Sequence, residues 1–330
     1  MIAQLDRNFI AASRRRSLAR LVSYALFEGR PATTRGRWVN PLVLSHLRLA
    51  ARLPLESRVH RPIFVLGMGR SGTTLLGRIL AVHPAVGFLN EPKALWHTIF
   101  PGEDLIGSYT SGAASLHLGA DDVSDDMKVD AHRVLSWYLS LTCSARLVDK
   151  YPELLFRTAF VRAIFPDAVF LVITRRGWDT IMSVQHWSAD HTSGDADWWG
   201  VGSRKWRILW EQAVLADAEN RPLADTVDGS TSNQAVRAAV EWVVTMRQVL
   251  RVRDEVTEGL DIIAYEDLAA DPVGVTETIL DRCGLEREGK VLDFAAKAVH
   301  EPRPRTISVP DLSAGLAAAV EETTAQLGYV

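Results

Sequence analysis

The sequence predicts an α/β fold, a central parallel sheet flanked by helices on both faces, and three observations carry the prediction. Short apolar runs recur along the chain, each bounded by polar residues, at Ile63–Leu66, Val86–Leu89, Arg146–Val148, Val169–Ile173 and Ile262–Ala264. Helical patterns separate them, as in Asp130–Leu141, Leu154–Phe165 and Gln234–Val252. Strands alternating with helices imply right-handed crossovers, two helical layers around one sheet, and a ligand site at the carboxyl ends of the strands. The third observation is a glycine-rich turn between the first strand and its helix, which makes the fold a P-loop-like three-layer architecture.

Composition agrees with a globular chain. The 330 residues carry 37 basic and 40 acidic side chains, a formal net charge of −3, with 47% hydrophobic and 23% charged residues. Those values exclude a disordered, collagen-like or nucleic-acid-coating protein as a reading of the whole chain. Cys143 and Cys283 are too few for a disulfide framework, and no CxxC or Cys/His cluster has metal spacing. The expected compartment is therefore reducing and cytoplasmic, with no metal site.

Residues 1–54 read as an N-terminal helical arm. Ser13-Arg14-Arg15-Arg16-Ser17-Leu18 superficially resembles an export signal, but the uninterrupted apolar core after it runs only from Leu21 to Phe27, and no cleavage site follows. Leu18, Leu21, Val22, Ala25 and Leu26 fall on one helical face. That face is expected to pack on the chain's own domain; peripheral contact with a membrane, or a homodimer through the arm, is the alternative. No run of about 18 apolar residues is present to span a bilayer.

Residues 55–330 read as one α/β domain with a tryptophan-rich insert around 185–233. Ile63–Leu66 has the look of a buried parallel strand, and Thr73–Val82 carries Leu75, Leu76, Ile79 and Leu80 at helical spacing before His83-Pro84 ends it. The stretches from Asp190 to Gly202 and from Asn220 to Asn233 are rich in Gly, Asp, Ser and Thr and read as surface loops. Six of the ten tryptophans, at 178, 187, 198, 199, 206 and 210, lie within residues 178–210. The glycine and aspartate around Trp198-Trp199-Gly200 suggest an exposed acceptor-side insert.

The turn Gly67-Met68-Gly69-Arg70-Ser71-Gly72-Thr73-Thr74 offers free backbone N–H groups and a helix N-terminus, which together hold an anion. Against GxxxxGK[ST], Gly67, Gly72 and Thr74 match, but Thr73 stands where the lysine belongs. A nucleoside triphosphatase would lack its β/γ-phosphate cation. The loop reads as a phosphate site put to another use.

Phe64 to Leu76, containing this loop, resembles the 5′-phosphosulfate loop of sulfotransferases that use 3′-phosphoadenosine 5′-phosphosulfate (PAPS), in particular the carbohydrate and tyrosylprotein branches. The resemblance implies PAPS as co-substrate, held by Gly69, Arg70, Ser71, Gly72, Thr73 and Thr74, and a second site for the 3′-phosphate. Arg175, at the end of Val169–Thr174, and Ser183, eight residues later, fit that second site. Ala264-Tyr265-Glu266-Asp267-Leu268 with Asp271-Pro272 is similar to the family segment whose tyrosine, here Tyr265, lies near the adenine. Val148-Asp149-Lys150-Tyr151-Pro152 is similar to the element whose lysine, here Lys150, approaches the transferring sulfonate. Asn90-Glu91-Pro92 resembles the element that supplies an acidic residue, here Glu91. Where the small-molecule branch has a histidine after its lysine, this chain has Tyr151, which moves the base role to Glu91.

The implied chemistry is in-line sulfonate transfer to a hydroxyl of a glycan, glycolipid or small natural product. Positioning and charge stabilisation dominate such a transfer. Arg70 forks onto the 5′-phosphate, Lys150 meets the charge on the transferring group, and Glu91 takes the acceptor proton if burial raises its pKa. The structural alternative for Glu91 is an ion pair with Arg70 or Lys150. Arg303 and Arg305 are similar to the family's basic loop over the 3′-phosphate, and His186 and His191 lie near the tryptophans as ordinary histidines. Two other functions compete: a kinase- or NTPase-like enzyme with Asp149 as a degenerate Walker B residue, and a non-catalytic nucleotide-binding scaffold recruited through the basic arm.

Overall fold

The computed structural model describes residues 2–34, 36–54, 58–190, 196–299 and 311–329. In chain order the arm holds α1 (Arg7–Ala12), α2 (Arg14–Leu26) and α3 (Asn40–Ala51). The sheet domain follows with β1 (Ile63–Gly67), α4 (Thr73–Ala81), β2 (Val86–Asn90), α5 (Lys93–Ile99), α6 (Asp125–Leu141), β3 (Arg146–Lys150), α7 (Thr158–Ile164), β4 (Val169–Thr174) and α8 (Gly177–Asp190). Next come the two-residue strands β5 (Ala196–Asp197) and β6 (Gly200–Val201), then α9 (Arg204–Leu209), α10 (Gln234–Glu255), β7 (Leu260–Ala264), α11 (Tyr265–Ala270), α12 (Pro272–Cys283), α13 (Gly289–Ala298) and α14 (Ala314–Gln326).

Five strands make one parallel sheet in the order β2-β3-β1-β4-β7, as the alternating pattern predicts. β1 is buried throughout and lies in the middle, with β3 on one side and β4 on the other. The chain crosses from one side of β1 to the other between β3 and β4, so the crevice of the fold opens at the end of β1, where the glycine-rich loop begins. One face of the sheet packs Phe64, Leu66, Phe170 and Val172 against Trp96, Phe160 and Trp242. The other packs Val65, Val148, Leu171 and Ile173 against α4, α12 and α13.

Local signals fix the ends of the helices. Ser124 caps α6, its hydroxyl accepting from the Met127 N–H at 3.2 Å, with Asp125 and Asp126 in the first turn. Asp271 caps α12 ahead of Pro272, and Gly284 at φ +63° ends it. The helix expected over Leu154–Phe165 divides into a 3-10 stretch, Pro152–Arg157, and α7, because Arg157 leaves helical backbone at φ −135°. The segment expected as a loop over Asp190–Gly202 contains the β5–β6 hairpin, and its residues 191–195 lie outside the described ones.

The arm corrects the amphipathic reading. Leu18 is 66% exposed and Leu21 42% exposed, while Arg16 and Arg20 on the opposite face of α2 are buried. Hydrogen bonding decides the orientation. The Arg16 guanidinium donates to the carbonyls of Val86 (2.5 Å) and Thr142 (2.9 Å) at the outer end of the sheet. Arg20 forms a two-pronged ion pair with Glu28 at 2.6 and 2.7 Å. Turning α2 over would strand those carbonyls and the Glu28 carboxylate, at a cost of 1–3 kcal/mol for each neutral group and more for the charge.

Candidate active site

The loop between β1 and α4 is shaped by backbone that only glycine accepts readily. Gly67 has φ +134° and an added Cβ would lie 2.4 Å from the Ile173 carbonyl; Gly72 has φ +107° and its Cβ would meet the Tyr265 ring at 2.5 Å. The buried Ser71 hydroxyl donates to the Met68 carbonyl at 2.6 Å and closes the turn. Arg70 sits at φ +73°, an unusual backbone for a side chain with a Cβ.

Residues far apart in sequence gather on Arg70. Its Nε donates to the Ser183 hydroxyl at 3.2 Å, and Arg175 donates to the Arg70 carbonyl at 3.1 Å. The Arg175 guanidinium also stands 4.6 Å over the Tyr265 ring, and its Nε is buried without a hydrogen-bond partner. Loop, Arg175, Ser183 and Tyr265 thus form one cluster. Arg303 and Arg305 lie outside the described residues.

Lys150 ends β3 one strand away. Its side chain is 2% exposed and its ammonium is ion-paired with Glu91. Glu91 has φ +49°, and its N–H donates to the Lys150 carbonyl at 2.7 Å, so backbone and side chain both tie the two residues together. Burial raises the Glu91 pKa, but Lys150 and Lys93 outweigh it and hold the carboxyl below the ordinary glutamate range. The rise that a base role calls for is absent while Lys150 is in place.

A cavity of about 250 Å³ joins these groups, lined by Gly69, Arg70, Thr73, Thr74, Asn90, Glu91, Lys93, Lys150, Glu153, Trp187, Asp197, Trp198 and Lys205, with Gln4, Pro31 and Thr33 from the arm. Arg175, Ser183 and Tyr265 are not in its lining; they lie beyond Arg70. The lining includes Lys93, Glu153 and Lys205, which the sequence analysis does not single out. Lys93 is 3.4 Å from Glu153 and 3.7 Å from Glu91. Lys205 is 3.7 Å from Glu153 and 2.6 Å from Glu241. Burial raises the Glu153 pKa, yet Lys93 and Lys205 bring it down to about 2. Trp198, one of the clustered tryptophans, lies beside them. Its indole N–H donates to Glu241 at 2.6 Å, Lys205 lies 4.8 Å from its ring, and its ring edge fills the space where a Cβ on Gly69 would go.

The insert expected to be exposed turns part of its aromatic surface inward. Trp199 and Trp206 are fully buried and pack edge to face at 5.6 Å; Trp187 and Trp198 alone of the six tryptophans line the cavity. His186 is exposed, its ring bonded to the Met182 carbonyl one turn back, and His191 lies outside the described residues. Asp149 is fully buried, accepts from the Trp96 indole at 2.8 Å, and is pushed up to about 8 by burial. Asp149 does not line the cavity beside the loop, which counts against the kinase-like reading. Among the described residues no group of three or more His, Cys, Asp or Glu could hold a metal ion, and no helix is long and apolar enough to cross a membrane.

A strand, a glycine-rich loop and a helix, with two arginines converging beside a buried lysine, make up the site. Residues 62–214, which carry all of these, match the model of the sulfotransferase family. Over 131 residues, 37% of the chain, it is 28% identical to the nodulation protein NoeE of Sinorhizobium fredii, and the match spans 30% of that relative's length. Among solved structures it is similar to sulfotransferase STF1 from Mycobacterium tuberculosis, at 17% identity over 98% of each chain with a TM-score of 0.49. It is also similar to sulfotransferase STF9 from Mycobacterium avium, at 16% identity over 99% of this chain and 96% of that one, again at 0.49.

Proposed function

We propose that the chain transfers a sulfonate group from PAPS to a hydroxyl of a neutral, polar acceptor, a sugar hydroxyl of a glycan or glycolipid. The gathering of Arg175 and Ser183 on Arg70 carries this reading. It brings a second arginine and a hydroxyl up against the loop arginine, an arrangement that suits a nucleotide with phosphates on both its 3′ and 5′ oxygens. The loop amides from Gly69 to Thr74 and the Arg70 guanidinium would hold the 5′ side; Arg175, with its unpartnered Nε, and Ser183 would hold the 3′ phosphate, with Tyr265 beside the base.

In the transfer the S–O bond to the 5′-phosphate breaks as a new S–O bond forms to the acceptor oxygen, whose proton leaves to a carboxylate. Lys150 neutralises charge on the transferring group and the departing phosphate oxygen. Drawn to that charge, it loosens from Glu91. The Glu91 carboxyl then loses its strongest acidifying neighbour and becomes basic enough to accept the proton. Trp187 and Trp198 offer flat apolar faces beside Asn90, Asp197 and Glu153, a mixture of stacking surface and hydrogen-bond acceptors that matches a sugar better than a lipid tail or a bare phenol.

Thermal melting with nucleotides tests the donor assignment. Adenosine 3′,5′-bisphosphate at 100 times its dissociation constant should stabilise the protein by about 2.7 kcal/mol, far beyond AMP or ATP. Arg175→Ala should abolish that advantage. Equal shifts with AMP, unchanged in Arg175→Ala, would remove the two-phosphate reading.

A further inference from the structure

The arm is electrically and chemically unlike the rest of the chain. Residues 1–54 hold ten arginines against Asp6 and Glu28, a net charge of +8, which leaves −11 for the remaining residues. Between Gly29 and Leu55 there is no acidic residue. On this background the 3-10 turn Arg37–Val39 and α3 present one outward stripe. Trp38, Leu42 and Leu49 recur at helical spacing and are 78%, 68% and 64% exposed. Arg37, Arg48 and Arg52 are exposed along the same segment, and neither Arg48 nor Arg52 has an ion-pair partner among the described residues. The opposite side of α3, with Val43, Leu47 and Ala50, is buried in the core, so the helix is anchored with its second apolar face turned out.

We infer that this stripe docks the protein on a membrane surface rich in anionic lipid. A tryptophan and two leucines supply shallow apolar insertion, and three arginines meet the headgroup phosphates. Charge complementarity selects this occupant over a second copy of the chain. An isologous contact would bring the same arginines from both copies together, and the segment has no acidic residue to meet them. Docking here is independent of the sulfonate chemistry.

The test is cosedimentation of the full chain with vesicles of phosphatidylcholine alone or mixed with phosphatidylglycerol, at low and high salt. Binding is expected to the mixed vesicles only and to weaken with salt. It should fall on the order of tenfold or more in Arg48→Glu/Arg52→Glu, and be lost in Trp38→Ser/Leu42→Ser/Leu49→Ser. Leu18→Ser/Leu21→Ser, on the exposed face of α2, should bind as the unmodified chain does. A melting temperature within a few degrees of the parent establishes that each variant is folded; if the triple variant is not, the arginine pair decides alone. No binding to mixed vesicles, equal binding to both kinds, or dependence on Leu18 and Leu21 instead would overturn the inference. So would a dimer in sedimentation velocity that the triple variant converts to monomer, since the occupant is then a second copy.

Discussion

Glu91 and Lys150 show how one contact sets the working state of a site. While paired, each cancels the other: the carboxyl is held acidic and the ammonium is occupied. Under the proposed mechanism Glu91→Gln keeps shape and removes the proton acceptor, so kcat should fall by about two to four orders of magnitude with adenosine 3′,5′-bisphosphate affinity almost intact. Lys150→Ala should lower kcat and also weaken binding of the sulfated donor. Single-turnover rates on both variants separate these effects, and a Glu91→Gln enzyme with most of its rate would return Glu91 to a structural ion pair. Asp149 makes a different prediction. Its folded pKa, about 8, lies above the ordinary aspartate value near 3.9, so its contribution to stability is complete below about pH 4 and is lost as pH rises through 8. Glu103, pushed up to about 7 by burial, acts in the same direction. Asp149→Asn keeps an acceptor for the Trp96 indole and should flatten, without abolishing, the decline in melting temperature between pH 5 and 8. Individual residues were unevenly legible. The family resemblance grouped Arg70, Arg175, Ser183 and Tyr265, and the structure brings these four side chains together. Lys93, Glu153, Lys205 and Glu241 could not be read, because α5, the 3-10 stretch Pro152–Arg157, α9 and α10 bring them together only after packing.

Elements were predicted well where pattern and hydrogen bonding agree. The sheet strands are short runs that pair in register with their neighbours, and the sequence marks them within one or two residues. α2 is the counterexample. Its leucines trace a clean apolar face, yet the buried face is the one that carries Arg16 and Arg20, because backbone carbonyls and Glu28 at the sheet's edge need donors more than the leucines need cover. Glu28 in turn accepts the Asn90 N–H at 2.7 Å, immediately before Glu91, so α2 is wired to the end of β2. Arg20→Leu leaves the Glu28 carboxylate buried and unpaired and should cost about 3–5 kcal/mol in denaturant unfolding. Replacing both partners by Leu and Met should recover much of that loss. If the single and double variants are equally unstable, the pair is not what holds the arm.

At the scale of the whole molecule, the domain from 55 onward and the arm share one structure, with the arm supplying Gln4, Pro31 and Thr33 to the cavity wall. The arm's pattern of charge pairs and exposed stripes depends on which surface it covers, and sequence periodicity alone carries no information about that.

The cavity's charges also nearly balance. Arg70, Lys93, Lys150 and Lys205 face Glu91, Glu153 and Asp197, and Glu241 behind Lys205 completes four against four. A site of that kind exerts little net field on a neutral acceptor, whereas a donor bearing several negative charges is drawn by the arginines and the loop. Raising ionic strength about tenfold, which shortens the screening length roughly threefold, should therefore weaken nucleotide binding markedly while leaving the acceptor's KM nearly constant. An acceptor KM that climbs as steeply as the donor's would mean that the natural acceptor is itself an anion.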